Sequence, residues 1–236
     1  MLFRSEKGAR KHLGPEIRTL ADYRLRHALY KTDANLQKVH QLFPWVVTWD
    51  DHEVENNYAG EIEENFPGNV EAFLRRRANA YQAYYEHMPL RRSALPHGPD
   101  MTLYRRVRFG RLAEFSVLDT RQYRTDQPNG DGGKPLSGAV FDPKATLLGR
   151  TQEGWLYNGL VQSPATWNVL AQQVMVARVG GRKNGQTIYS MDQWSGYDVA
   201  RRRLMEFLKN RSVPNPIVIT GDIHSNWCND LYVDFD

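Results

Sequence analysis

The chain has 236 residues, 41% hydrophobic and 11% aromatic, which is enough for one large domain or part of one. A mean hydropathy of -0.63 and the lack of an apolar run near bilayer length exclude a membrane-spanning helix, and a single cysteine, Cys228, excludes an intrachain disulfide. The net charge of +4 is carried mostly by arginine, which suits anionic ligands but fits a compositional bias equally well.

Residues 1–15 read as loop. The start, Met1-Leu2-Phe3-Arg4-Ser5-Glu6, has no apolar h-region, so the chain as given is expected to carry no signal peptide. From Glu16 to Phe43 the pattern is helical, broken near Thr32-Asp33-Ala34, where Asp33 is an N-cap candidate. A strand is expected over Trp45–Trp49, then a long polar loop from Glu55 to Gly68, then a helix over Val70–His87. Leu103–Phe109 and Leu112–Leu118 read as strands around Gly110, the second running into Asp119-Thr120-Arg121. Thr125–Thr146 reads as loop and Gln152–Val161 as a short helix; Thr166–Ala177 fits helix or strand, with a strand favoured near Val169–Val176. Gly180–Gln186 is expected to be a flexible loop, Tyr189–Tyr197 an aromatic polar loop, and Asp198–Lys209 a helix. A last buried strand, Pro216–Thr220, precedes Gly221-Asp222-Ile223-His224. The order is an α/β pattern, with no internal repeat and no interdomain linker.

Two strings concentrate the chemistry. Trp49-Asp50-Asp51-His52-Glu53 and Gly221-Asp222-Ile223-His224 each follow an apolar run, the position where α/β sheets expose their functional edge. Carboxylates suit hard cations and imidazole suits transition metals. Asp50, Asp51, Asp222 and His224 are therefore candidate metal ligands, together making one composite site. An acidic turn for the first string, and a plain aspartate–histidine hydrogen bond for the second, are the structural alternatives. The D-x-H spacing is expected to put Asp222 and His224 on one face of an extended backbone, with Gly221 allowing close approach to a ligand.

The strings resemble the G-N-H-[ED] and G-H-x-H loops of calcineurin-like metallophosphoesterases, with Asp51 and Asp222 replacing an Asn and a His. These replacements favour harder ions, such as Fe³⁺ and Ca²⁺. Leu20-Ala21-Asp22-Tyr23-Arg24, the stretch Trp49 to Tyr58, Leu118 to Arg124, Gln172-Gln173-Val174 and Trp194-Ser195-Gly196-Tyr197 occur in the same order. Together they resemble the alkaline phosphatase D (PhoD-like) family over nearly the whole chain.

The resemblance implies a metallophosphoesterase-like α/β fold with two sheets in a sandwich. Residues 1–236 would form part of the catalytic domain, truncated at both ends, since the family carries further metal-binding motifs before this region and continues beyond it. It implies an exported, periplasmic or extracellular enzyme that hydrolyses phosphate monoesters or diesters, small or polymeric, with iron and calcium and a metal-activated water. In that frame Asp51, Asp222 and His224 hold metal, with Asp50 as a further ligand. His52 faces the scissile phosphate, and Glu53 orients His52. A non-catalytic metal-binding remnant is the alternative.

Asn57 can offer a carbonyl oxygen to calcium or be a turn asparagine. Arg121 can clamp phosphate or pair with Asp119. Trp194 and Tyr197 read as core. Cys228 is expected to be a small buried residue rather than a ligand, and His12, His27, His40, His87 and His97 to be structural or surface groups. Arg75-Arg76-Arg77 and Arg201-Arg202-Arg203 read as solvated helix faces, and no nucleic-acid module accompanies them. The sequence does not fix an oligomeric state.

Overall fold

A computed structural model of the chain describes residues 12, 14–64 and 68–234. The expected loop at residues 1–15 lies largely outside the described residues. The chain divides into two compact units, Met1–Leu103 and Tyr104–Asp236.

The first unit is helical. α1 (Leu20–Lys31) starts at a capping box in which Thr19 and Asp22 satisfy each other's backbone N–H groups. α2 (Ala34–Leu42) is capped as expected by Asp33, whose carboxylate accepts the Leu36 N–H at 2.9 Å. α3 (Val70–His87) is capped by Asn69 and packs on α1. Tyr23, Trp49, Tyr58, Phe73 and Tyr81 build the core. Trp49 stacks flat on Tyr81, with centroids 4.1 Å apart.

Over residues 45–49 the burial alternates as a strand's would, with Val46 exposed and Val47 and Trp49 buried. Arg75-Arg76-Arg77 departs from expectation, because Arg76 and Arg77 are each only 3% exposed. Arg76 donates to the Tyr23 hydroxyl at 3.0 Å, to Glu63 at 2.5 Å and to Glu16, and Arg77 donates to the carbonyls of Gly60 and Pro99. Guanidinium groups enter an interior when their donors are matched in this way.

The second unit holds both sheets. β1 (Arg105–Phe109) and β2 (Ala113–Val117) form the expected antiparallel hairpin, turning near Gly110, which has φ 54°. The region expected to be loop contains β3 (Gly133–Lys134) and a short 3-10 turn at Gly138–Phe141. α4 (Gly149–Gln162) leads to β4 (Trp167–Ala171), which is shorter than expected. β5 (Gly181–Lys183) and β6 (Gln186–Ser190) replace the expected flexible loop. Asn184 and Gly185, at φ 50° and 79°, supply the two positive-φ positions that a tight hairpin requires. A 3-10 turn at Trp194–Tyr197 then leads into α5 (Asp198–Asn210) and β7 (Pro216–Ile219).

The four-stranded sheet has the order β1-β2-β4-β7, and the three-stranded sheet β3-β6-β5. β2, β4 and β7 are mutually parallel, so α4 and α5 lie on the crossovers that parallel pairing requires. The carboxyl ends of these three strands therefore fall on one edge. Leu118, Leu156, Leu170, Trp194, Tyr197 and Leu204 belong to the core. β7, expected to be buried, is an edge strand with Ile217 40% and Ile219 47% exposed. Cys228 is exposed rather than buried. Arg201, expected in solvent, is fully buried and donates to the carbonyls of Val176 at 2.9 Å and Tyr232 at 2.6 Å.

His27 of α1 stacks on His87 at the end of α3, with centroids 5.0 Å apart and planes 14° from parallel. Burial, followed by the charge of a protonated His87, holds His27 down at about 4 against its ordinary 6.5. The folded state prefers neutral His27, so this contribution is complete above pH 6.5 and disappears as the pH falls toward 4. It is worth on the order of 3 kcal/mol. We expect the unfolding temperature to drop across that window, and His27→Gln to flatten the drop. Equal slopes in both proteins, measured by thermal melts, would refute the assignment.

Candidate functional site

In the first unit, Asp50 to Asn57 form a closed turn. The Asp51 carbonyl accepts the N–H groups of Val54 and Glu55, each at 2.8 Å. Its carboxylate accepts the Asn57 N–H at 2.9 Å, and Asn57 adopts the left-handed φ of 49° that lets the chain turn back. The Asn57 main chain thus closes the turn and supports Asp51. The Glu53 carboxylate accepts the Asp50 N–H at 2.7 Å and so braces the turn. The Tyr23 hydroxyl donates to the Val54 carbonyl at 2.6 Å, which ties the turn to the buried Arg76. Asp51 is 3% exposed, so the first string is not an exposed acidic turn. His52 keeps 32% of its side-chain surface, with Nε2 3.9 Å from Asp51 Oδ2.

In the second unit, polar residues leave the carboxyl ends of the three parallel strands and lock together. After β2, Asp119 Oδ1 accepts the N–H groups of Arg121 at 2.9 Å and Gln122 at 3.0 Å. After β4, the Gln173 amide accepts the Thr120 N–H at 3.0 Å and its hydroxyl at 2.7 Å, and donates to the Leu118 carbonyl at 2.9 Å. After β7, the Gly221 N–H and the Thr220 hydroxyl both donate to the Gln173 carbonyl, at 3.0 and 2.8 Å. One glutamine thereby joins all three strand ends.

Asp222 and His224 do not sit on an extended backbone, as the D-x-H spacing suggests. Both are left-handed, with φ 61° and 57°. Strain of this kind costs roughly 1–3 kcal/mol per residue and persists where the surroundings over-determine it. His224 is exposed, and the Asp222 side chain keeps 18% of its surface. Arg121 Nη2 lies 3.6 Å from Asp222 Oδ1, and Gln193 Nε2 donates to Asp222 Oδ2. Two of the predicted residues, Arg121 and Asp222, therefore come together.

Arg121 is fully buried, and its guanidinium is paired with Asp192 rather than with Asp119. Nη1 donates to both Asp192 oxygens, at 2.9 and 2.8 Å, and Arg124 adds a third bond at 2.7 Å. Burial pushes the Asp192 carboxyl up, but Arg121 and Arg124 outweigh it and hold the group at about 2. Sequence reasoning missed Asp192, Gln173 and Gln193. The Gln172-Gln173 pair carried the available signal, because it follows the apolar run of β4 as Asp119 follows that of β2. Asp192 and Gln193 follow β6, in a segment whose composition reads as loop.

The profile of the PhoD-like phosphatase family matches residues 2–236. The chain belongs to that family. Among its relatives, alkaline phosphatase D of Bacillus subtilis (strain 168) is 57% identical over 227 residues, which cover 96% of this chain and 39% of that protein. A solved structure described as the structure of PhoD superposes with a TM-score of 0.91 at 57% identity, over 96% of this chain and 43% of that one. The chain thus spans less than half the length of these relatives. The mixed α/β architecture with two sheets is that of the family.

Asp192→Asn leaves Arg121 and Arg124 buried around a neutral group. We expect it to lower stability at pH 7 by about 3–5 kcal/mol. The native carboxyl lies below its ordinary 3.8, so its contribution is present above that pH and lost as the pH falls toward 2. Denaturant titrations at pH 7 and pH 3 should therefore show a smaller gap between wild type and variant in acid. An undiminished gap would contradict the pairing.

Proposed function

We propose that this chain is part of the catalytic domain of a metal-dependent phosphoric ester hydrolase, and that its two Asp/His strings supply metal-holding and phosphate-facing groups. Family membership supports the reaction class. The observation that carries the site assignment is the held carboxylate of Asp222, braced by Arg121 and Gln193 on a strained left-handed backbone at the carboxyl edge of three parallel strands.

The donor set fits hard and intermediate cations. Asp51 is a buried carboxylate with fixed orientation, Asp222 a braced one, and His224 an accessible imidazole. We assign Asp51, Asp222 and His224 as ligands, with Asp50 and Asn57 as further candidates. Fe³⁺ and Ca²⁺ are the ions that suit this carboxylate-rich set. When bound, such ions polarise phosphoryl oxygens and make water a better nucleophile at neutral to alkaline pH.

The protein's own groups divide the remaining work. His52, partly exposed beside Asp51, either protonates the leaving alkoxide or steadies charge on the phosphoryl oxygens. Arg121 lies behind Asp222 and sets a buried positive charge 3.6 Å from that carboxylate. Phosphate esters, small or polymeric, are the substrates of this reading. No helix among the described residues is long and apolar enough to cross a membrane. The family resemblance supports a periplasmic or extracellular site of action for the whole protein, which fractionation of cells with an antibody to this region would test.

His52→Ala should retain fold and metal content while lowering kcat, typically by about 10²–10⁴-fold for loss of a general acid. If His52 is the acid, the loss shrinks for a nitrophenyl ester relative to an alkyl ester. Elemental analysis for iron and calcium accompanies the kinetics. Loss of stoichiometric metal in the variant would make His52 a ligand instead.

A further inference from the structure

The braced carboxylate of Asp222 depends on a residue outside both Asp/His strings. Gln193 is 5% exposed and follows Asp192, the anion that anchors Arg121. Its side-chain amide has a defined orientation, because the Met175 N–H donates to Oε1. A backbone N–H cannot accept, so the oxygen must face Met175 and the Nε2 donor must face Asp222.

The backbone around Gln193 is held as tightly. The Trp194 N–H donates to the Met175 carbonyl at 3.2 Å, and the Trp194 indole donates to Gln172 Oε1 at 3.0 Å. Gly196 lets the turn close, since a Cβ there would lie 2.0 Å from the Met191 carbonyl oxygen. Met175 and Gln172 are themselves on the segment that leaves β4. The turn after β6 is thus bolted to the strand-end polar layer, and Gln193 is the point at which it reaches the Asp222 loop.

We propose that Gln193 is a positioning residue for metal binding. It fixes the rotation of the Asp222 carboxylate by donating to Oδ2 while Arg121 faces Oδ1. The inference rests on the reading of Asp222 as a metal ligand. Partners that orient a ligand in this way typically matter by about 10–100-fold in metal affinity.

A double-mutant cycle on this chain tests it, with Ca²⁺ and Fe³⁺ alone as probes and binding read by calorimetry. Gln193→Met should weaken metal binding by roughly 10-fold or more in the wild-type background. It should add no further loss in the Asp222→Asn background, because its effect runs through Asp222. Equal losses in both backgrounds, or unchanged affinity in Gln193→Met, would overturn the proposal while leaving Asp222 a ligand. Unchanged affinity in Asp222→Asn would overturn the ligand reading, and this proposal with it. Near-UV circular dichroism of the metal-free variants separates misfolding from lost orientation. If Gln193→Met does not fold, Gln193→Asn, which keeps the amide but draws its donor back by one methylene, takes its place in the same cycle.

Discussion

Asp192 is a carboxylate removed from water, and the second unit is organised around keeping it ionised. Its isolated burial would be prohibitive, so two guanidiniums converge on it, from Arg121 after β2 and from Arg124 three residues on. That demand fixes where Arg121 lies, and Arg121 in turn faces Asp222 after β7. Charge alternates from Asp192 through Arg121 to Asp222, with only the last member near solvent. The turn after β6 and the ends of β2 and β7 share one electrostatic constraint, so a change at any one of them is felt at the others.

The first unit solves a parallel problem with different residues. Arg76 is buried among Tyr23, Glu63 and Glu16, and the Tyr23 hydroxyl joins it to the carbonyl of Val54 in the Asp50–Asn57 turn. A helix residue therefore supports the Asp50–Asn57 turn through one intermediary. In both units a guanidinium is placed beneath a carboxylate-bearing turn, with neutral donors doing the final aiming. Guanidinium suits this task because it stays charged when desolvated and offers donors in a fixed fork.

Much of this was legible before any coordinates. The start of α2 announced itself through Asp33, since capping is local chemistry. The β1–β2 hairpin and the identity of the two Asp/His strings were equally accessible, because both rest on short-range pattern. What failed was non-local. Arg76 and Arg201 look like surface arginines until their acceptors are located. Gln193 was invisible for the same reason, and Gln173 signalled itself only by following the apolar run of β4. A glutamine carries no signature of its own, and its role exists only through the backbone groups of distant segments that it satisfies. The Asn184-Gly185 hairpin is a different case: the dipeptide signal was present in the sequence, and the polar composition around it obscured it.

The left-handed backbone at Asp222 and His224 affects how substitutions there should be interpreted. A side chain at either position must satisfy the main chain before its chemistry is expressed. Branching at Cβ is penalised in this conformation, whereas asparagine, aspartate and glycine are tolerated. A valine or threonine scan would register backbone misfit and mistake it for lost ligation. Asparagine keeps the turn while changing the donor, so it separates the two contributions. Any substitution at these two sites is filtered by torsion angle first, and aspartate at position 222 meets that conformational requirement.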